Sequence, residues 1–133
     1  MIGQTRIGDE GSITALVVVL AMTFIACAGL AVDGGRLVAA KIELGDQAEN
    51  AARVGAQEIA SLRSVSLEIN ETQAVIAAEE FLVSHGLNGD VYVQDNSVTV
   101  SVRRVIPMTL LSLFGVKAKI LSARRSATPA DGP

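Results

Sequence analysis

A chain of 133 residues with a formal net charge of −3 is long enough for one small domain. Half of its residues are hydrophobic but only 3% are aromatic, and no basic patch with interleaved aromatics is present, which argues against nucleic acid as a partner. The single cysteine, Cys27, excludes an intrachain disulfide and a cysteine metal cluster. With one histidine and no nucleophile or phosphate-binding motif, we expect no enzyme, no cofactor, no metal and no small-molecule substrate.

An uncharged apolar run without Asn, Gln or Pro covers residues 13–32, ITALVVVLAMTFIACAGLAV. At about 1.5 Å per residue, a helix of this length spans roughly 30 Å, which is the hydrocarbon thickness of a bilayer. We therefore predict a transmembrane helix over residues 13–32, preceded by an N-terminal tail of residues 1–12. A buried core helix and a removable signal peptide are the alternatives.

Cys27 follows Ala26 inside this run, as in a lipoprotein signal, where a small residue precedes the cysteine that is lipidated. Phe24 stands where such signals usually have Leu, and the residues before the run are net acidic, whereas a signal peptide begins with positive charge. We therefore expect a retained anchor in which Cys27 is a small buried hydrophobe. A lipidated chain that begins at Cys27 is the alternative.

The apolar run ends at a charged membrane junction, Asp33-Gly34-Gly35-Arg36, after which the hydrophobic period becomes that of an amphipathic, Ala-rich helix. One face of this helix is mostly small residues, namely Ala48, Ala51, Ala52, Gly55 and Ile59. Small residues let a second backbone approach closely, so we predict a helix-packing face. Its partner is either another subunit or the sheet of the same chain, and a simple spacer helix is a third possibility.

A second helix is predicted after a connection at residues 63–71. Asn70 and Gln73 form a capping-box pattern for a helix that begins near Glu71. Gly86 suits a left-handed C-terminal cap, with Leu87 as the hydrophobic contact that accompanies it. The lone His85 beside this cap is expected to bond backbone carbonyls rather than to take part in chemistry.

Three β-rich runs follow. After a turn at residues 88–90, residues 91–94 and 98–105 predict a hairpin linked by residues 95–97, and residues 116–127 predict a third strand beside 98–105. Alternation in the central run puts its valines on one face, so we expect a half-buried sheet. Pro107 ends this run because it cannot donate to the ladder.

Between the last two strands lies a compact apolar segment, residues 107–114, which predicts one or two helical turns stopped by Gly115. We favour a core role for its large side chains, with a partner or membrane-surface contact as the alternative; these are Met108, Leu110, Leu111, Leu113 and Phe114. Residues 128–133 predict a disordered tail. The fold class is therefore α+β: one transmembrane helix continues into an amphipathic Ala-rich helix, followed by a second helix and a small three-stranded antiparallel sheet, and the α+β domain covers residues 33–127.

Residues 11–60 resemble the N-terminal segment of TadG-like proteins of the Tad (Flp) pilus system. The likeness rests on the uncharged span, the junction GLAVDGGRL at residues 29–37 and the helix DQAENAARVGAQE at residues 46–58. The second half is similar too, through VTVSV at residues 98–102, Ile106-Pro107 and LFG at residues 113–115.

The resemblance implies a pilin-like accessory or structural component of pilus assembly or related secretion. It implies a single-pass protein of the bacterial inner membrane that contacts other pilus-assembly proteins through its helices, with its C-terminal domain outside the cytoplasm. Two features depart from the family pattern. Gly45 stands where a polar residue is usual, and a kink is expected there. No glutamate lies five residues after Gly8 or Gly11, so prepilin-type processing is not expected.

Charge alone favours the opposite orientation. Arg6 is the only basic residue before the span, whereas Arg36, Lys41 and Arg53 follow it within about 20 residues, the range counted by the positive-inside rule. A second function class also stays open, namely a membrane-anchored or lipidated envelope binding domain with no role in pili.

Overall fold

The computed structural model describes residues 9–61 and 67–129. The elements in chain order are helix α1 (Asp9–Ser61), helix α2 (Leu67–Ser84), strands β1 (Asn88–Gln94) and β2 (Ser97–Pro107), a 3-10 helix (Leu111–Phe114) and strand β3 (Ala118–Ala127). The strands form one antiparallel sheet in the order β1-β2-β3, and the two helices pack on one of its faces. The predicted α+β class, with one long apolar N-terminal helix, is confirmed.

Helix α1 is continuous over 53 residues and joins the predicted span to the Ala-rich helix. It passes through Gly34, Gly35 and Gly45 without leaving helical conformation. Gly45 is instead a close-approach position, since a Cβ there would lie 3.0 Å from a guanidinium nitrogen of Arg125 on β3. The glycine therefore makes room for a long basic side chain of the sheet.

Among the described residues, α1 is the one helix long and apolar enough to cross a membrane, with a mean hydropathy of 2.7 in its most apolar window. Only 6% of that window is buried within the protein, which argues against the alternative of a buried core helix. Cys27 is exposed on the surface of this helix, within the run predicted to lie in the membrane.

Helix α2 begins earlier than predicted. Because Leu67 already lies in the helix, Asn70 is an interior residue and not an N-cap, and the predicted connection is helical from residue 67 onward. Residues 63–66 of that connection lie outside the described residues. The C-terminal prediction is confirmed: Gly86 has φ 64°, and the Leu87 amide donates to the Leu82 carbonyl at 2.9 Å. The Gly86 amide donates to Val83, which completes a Schellman motif.

The predicted hairpin is confirmed and is tighter than expected. Gln94 pairs with Ser97, and the two residues between them, Asp95 and Asn96, both have positive φ, as in a type I′ turn. The turn predicted at residues 88–90 is wrong, because these residues open β1 and pair with β2. Gly89 fits there because a Cβ would lie 2.6 Å from the Ser101 carbonyl oxygen.

The hydrophobic core lies between the two helices and the inner face of the sheet. Its central β2 side chains are Val98, Val100 and Val102, all fully buried as the alternation predicted. Near the C-terminus, Pro129 is buried, and the disordered tail of residues 128–133 stays a prediction. Residues 130–133 of that tail lie outside the described residues.

The segment between β2 and β3 joins the core only at its first residue. Met108 is buried, but the 3-10 helix has no buried residue, and Leu113 and Phe114 are exposed. The favoured core role is therefore wrong for Leu113 and Phe114. Burial fails because this segment lies beyond the end of the sheet, where α1 is the main element that the 3-10 helix contacts.

Candidate membrane-junction site

Asp33 is the one polar or charged residue buried among the described side chains, with 1% of its surface exposed. It lies one residue after the predicted span, and the segment after β2 covers it. Its carboxylate accepts hydrogen bonds from the Thr109 amide, at 3.1 and 3.2 Å to its two oxygens, and from the Leu111 amide at 2.7 Å. A side chain of α1 thus satisfies backbone donors at the start of the 3-10 helix.

These donors keep Asp33 ionised. The Leu111 amide is the main cause that lowers the pKa of the carboxyl below its ordinary value, and burial acts in the opposite direction. The Thr109 and Leu110 amides and the Arg36 guanidinium lower the pKa further. Hydrogen bonds to the charged form outweigh its desolvation here.

Arg36 strengthens the same contact from one helical turn further along. Its Nη1 lies 4.0 Å from the Asp33 carboxylate and donates a hydrogen bond to the Thr109 hydroxyl. The Arg36 side chain is 52% exposed, so its net contribution is that of a surface ion pair and is small. Two charged residues of the predicted junction thus hold the segment after β2, which is more than 70 residues away in the chain.

The two glycines of the junction make no such contact. A Cβ at Gly34 or Gly35 would meet nothing within 4 Å. The close approach lies at Gly29, where a Cβ would be 3.1 Å from Leu110 Cβ. Gly29 is buried although it belongs to the otherwise exposed apolar run.

The sequence predicts Asp33 and Arg36 as junction residues, but it does not predict their partners at Thr109 and Leu111. It also does not predict the contact between Gly29 and Leu110. Two signals were available: a lone carboxylate beside a lipid-length run needs donors, and a short helix without its own N-cap offers them. Neither signal shows that the carboxylate and the short helix contact each other, because this contact depends on the fold of the intervening residues.

The predicted helix-packing face is buried against the same chain. Ala48, Ala51 and Ala52 are fully buried, and Ile59 is 4% exposed. A Cβ at Gly55 would lie 2.8 Å from the Ala74 carbonyl oxygen of α2 and 3.0 Å from Val98 Cγ1 of β2. These residues thus pack against α2 and the sheet of the same chain, as the intramolecular alternative predicts.

His85 bonds a carbonyl, as predicted. Its Nδ1 lies 2.8 Å from the Phe81 carbonyl oxygen, and its ring stacks on Phe81 at a centroid distance of 4.1 Å. Within residues 9–61 and 67–129 no group of three or more His, Cys, Asp or Glu side chains is arranged to hold a metal ion.

Residues 11–58 match a family model, Tad, described as putative Flp pilus-assembly TadE/G-like. This part of the N-terminal helix is similar to TadE/G-like proteins. The match covers the span, the junction with Asp33 and Arg36, and the helix-packing face except Ile59, and it confirms the resemblance found in the sequence for residues 11–58. The resemblance of the second half of the chain stays a prediction. None of the curated proteins and none of the solved structures compared with the chain matches it. The TadE/G-like match supports a role related to pilus assembly.

Proposed function

We propose that this chain is a membrane-anchored, pilin-like accessory or structural component of Tad (Flp) pilus assembly or a related secretion system. The observation that carries the proposal is the TadE/G-like match over residues 11–58, which includes the one span-length apolar helix of the described chain. The family concerns assembly rather than chemistry, in line with a chain that has no recognised catalytic motif.

The proposal puts the span in the bacterial inner membrane and the domain of residues 33–127 outside the cytoplasm. A reporter active only outside the cytoplasm, fused after Ala127, is expected to be active. An inactive reporter, together with an active cytoplasmic reporter at the same site, would overturn this orientation. It would support the opposite orientation, which the positive-inside rule favours.

Contacts with other pilus-assembly proteins are assigned to the lower half of α1, which contains the predicted span of residues 13–32; the upper half is the part of α1 after this span. The large apolar side chains of the lower half stay exposed, whereas the small-residue face above is occupied by α2 and the sheet. Helices in lipid associate by van der Waals packing, with small residues where the backbones approach closely, and not through the hydrophobic effect. The relevant partners are therefore other membrane helices of the pilus system.

The test is crosslinking of the full chain in membranes that contain Tad pilus components. In a matched variant, residues 13–28 are replaced by leucine, which keeps span length and hydrophobicity and leaves Gly29 and Asp33 in place. Crosslinks to Tad components are expected in the original chain and should fall in the leucine variant. Equal crosslinking by both would contradict contacts through the span, and no crosslink to any Tad component would contradict the pilus role.

A further inference from the structure

The segment that Asp33 holds exposes large apolar side chains. Leu113 is 73% exposed, Phe114 48% and Val116 46%. They belong to one short stretch, residues 110–116, which we term the apolar loop. Clustered exposed side chains of this size mark a contact surface rather than ordinary solvent exposure.

The contact with α1 fixes the depth of this loop. Leu110 and Leu111 lie against Gly29, which is three residues inside the predicted end of the span at Val32. With a rise of about 1.5 Å per residue, Gly29 lies roughly 4.5 Å below that end. The apolar loop is therefore at the level where hydrocarbon meets headgroups.

Backbone amides in the loop and next to it donate hydrogen bonds to other groups of the protein rather than to water. The Thr109 and Leu111 amides donate to Asp33, and the Val116 amide donates to the Leu111 carbonyl at 3.1 Å. Leu113 and Gly115 donate to carbonyls within the same turn, and the Met108 amide donates to Lys117. A segment that enters lipid needs hydrogen bonds of this kind within the protein, because lipid offers no partners to backbone groups.

The outer face of the sheet has a matching polarity gradient. Val105 and Ile120 are directly paired near the loop and are 61% and 67% exposed. Nearer the hairpin, the same face carries polar side chains such as Thr99 and Ser126, whose hydroxyls bond each other at 2.8 Å. The exposed apolar residues thus lie at the end of the sheet that adjoins the span.

We propose that the apolar loop is a second membrane contact, which inserts Leu113 and Phe114 into the interface of the bilayer that α1 crosses. Exposed Lys117 and Lys119 follow the loop directly and suit anionic headgroups. Together the loop and α1 hold the α+β domain in one orientation on the membrane. The proposal rests on the membrane anchor of the proposed function but not on the pilus role or on the side of the membrane.

The chain contains no Trp, so one introduced Trp reports its own surroundings. The full chain carrying Phe114→Trp is reconstituted in vesicles of phosphatidylcholine and phosphatidylglycerol, with or without brominated acyl chains. Tyr92→Trp is the matched control, because Tyr92 is also aromatic and is 56% exposed at the far end of the sheet. Leu113→Trp is a second probe in case Phe114→Trp disturbs the fold.

The expected result is blue-shifted emission from Phe114→Trp and Leu113→Trp, strong quenching by brominated lipid and weak quenching by aqueous acrylamide. Tyr92→Trp should show the reverse pattern. Equal acrylamide quenching at all three sites would overturn the proposal. Emission that shifts blue only at high protein density, without quenching by brominated lipid, would also overturn it and would indicate a second copy as the occupant. Neither outcome bears on the crosslinks that test the pilus role.

Discussion

The two halves of α1 belong to one uninterrupted helix, but they meet different surroundings. In the upper half, Leu44 and Ala48 are fully buried by the rest of the chain. In the lower half, Leu30 is 65% and Phe24 67% exposed. Both halves are apolar, so hydrophobicity alone does not distinguish them.

Side-chain size does distinguish them. The upper half buries mainly Ala and Gly because α2 and β2 approach its backbone closely, as at Gly55. The large apolar side chains of the lower half are exposed, as at Val17, Leu20 and Phe24, which suits fluid hydrocarbon, since lipid presents no fixed shape to match. Gly29 differs from its neighbours in the lower half, because Leu110 and Leu111 approach the helix backbone there.

The largest expected effect is a cavity in the upper half. Leu44→Ala should lower the free energy of unfolding by about 2–5 kcal/mol, the usual range for a buried Leu. Leu30→Ala makes the same chemical change on the exposed surface of the lower half and leaves no cavity. Denaturant unfolding of the full chain in detergent micelles measures both variants. Similar losses would contradict the contrast between the halves.

A second pair compares two glycines of α1. Gly55→Ala puts a Cβ 2.8 Å from a backbone carbonyl oxygen of α2, and overpacking of this kind costs about 1–3 kcal/mol. Gly35→Ala meets nothing within 4 Å and should stabilise the helix by about 0.5–1 kcal/mol. The expected changes in thermal stability therefore have opposite signs. Destabilisation by both would indicate an unseen neighbour at Gly35.

Much of this fold follows from local patterns in the sequence. The span follows from an uncharged run, the hairpin from alternating β-branched residues around a polar link, and the end of α2 from Gly86. The start of α2 was misplaced because the capping-box pattern at Asn70 also fits the interior of a helix. The turn at residues 88–90 was wrong because Gly89 serves close packing against Ser101 and not chain reversal.

Only one side of the contact at the candidate site could be predicted from the sequence. Asp33 and Arg36 were identifiable, because charged residues directly after a membrane-length run must find partners or water. Their partners at residues 109–111 depend on how β2 is placed against α1, which no local pattern encodes. The same long-range placement decides that Leu113 and Phe114 lie outside the core.

The stabilising contribution of Asp33, which lies at the boundary between the two halves, should depend on pH. The pKa of Asp33 is lowered in the folded chain, so the folded state binds fewer protons than the unfolded state. Its stabilising contribution is complete above about pH 4, the ordinary Asp range, and is lost as the pH falls through the lowered pKa. Asp33→Asn should flatten this acid dependence and reduce stability at neutral pH.

The measurement is unfolding of the full chain in micelles between neutral and acidic pH. Asp46→Asn is the control at neutral pH, because Asp46 is exposed on the same helix and should be replaceable without loss. An unchanged acid profile in Asp33→Asn would show that the contact with residues 109–111 does not depend on the carboxylate charge.

The smallest expected effect tests whether the upper half of α1 is in water. Arg53 donates to the Glu49 carboxylate one turn earlier, and both side chains are partly exposed. A double-mutant cycle with Arg53→Gln and Glu49→Gln keeps helix propensity nearly constant and should give a coupling of about 0.3–0.5 kcal/mol. In about 1 M salt the screening length is about 3 Å, so the coupling should vanish. A coupling that persists in high salt would mean that the pair is shielded from water, and the membrane boundary would then lie well above Asp33.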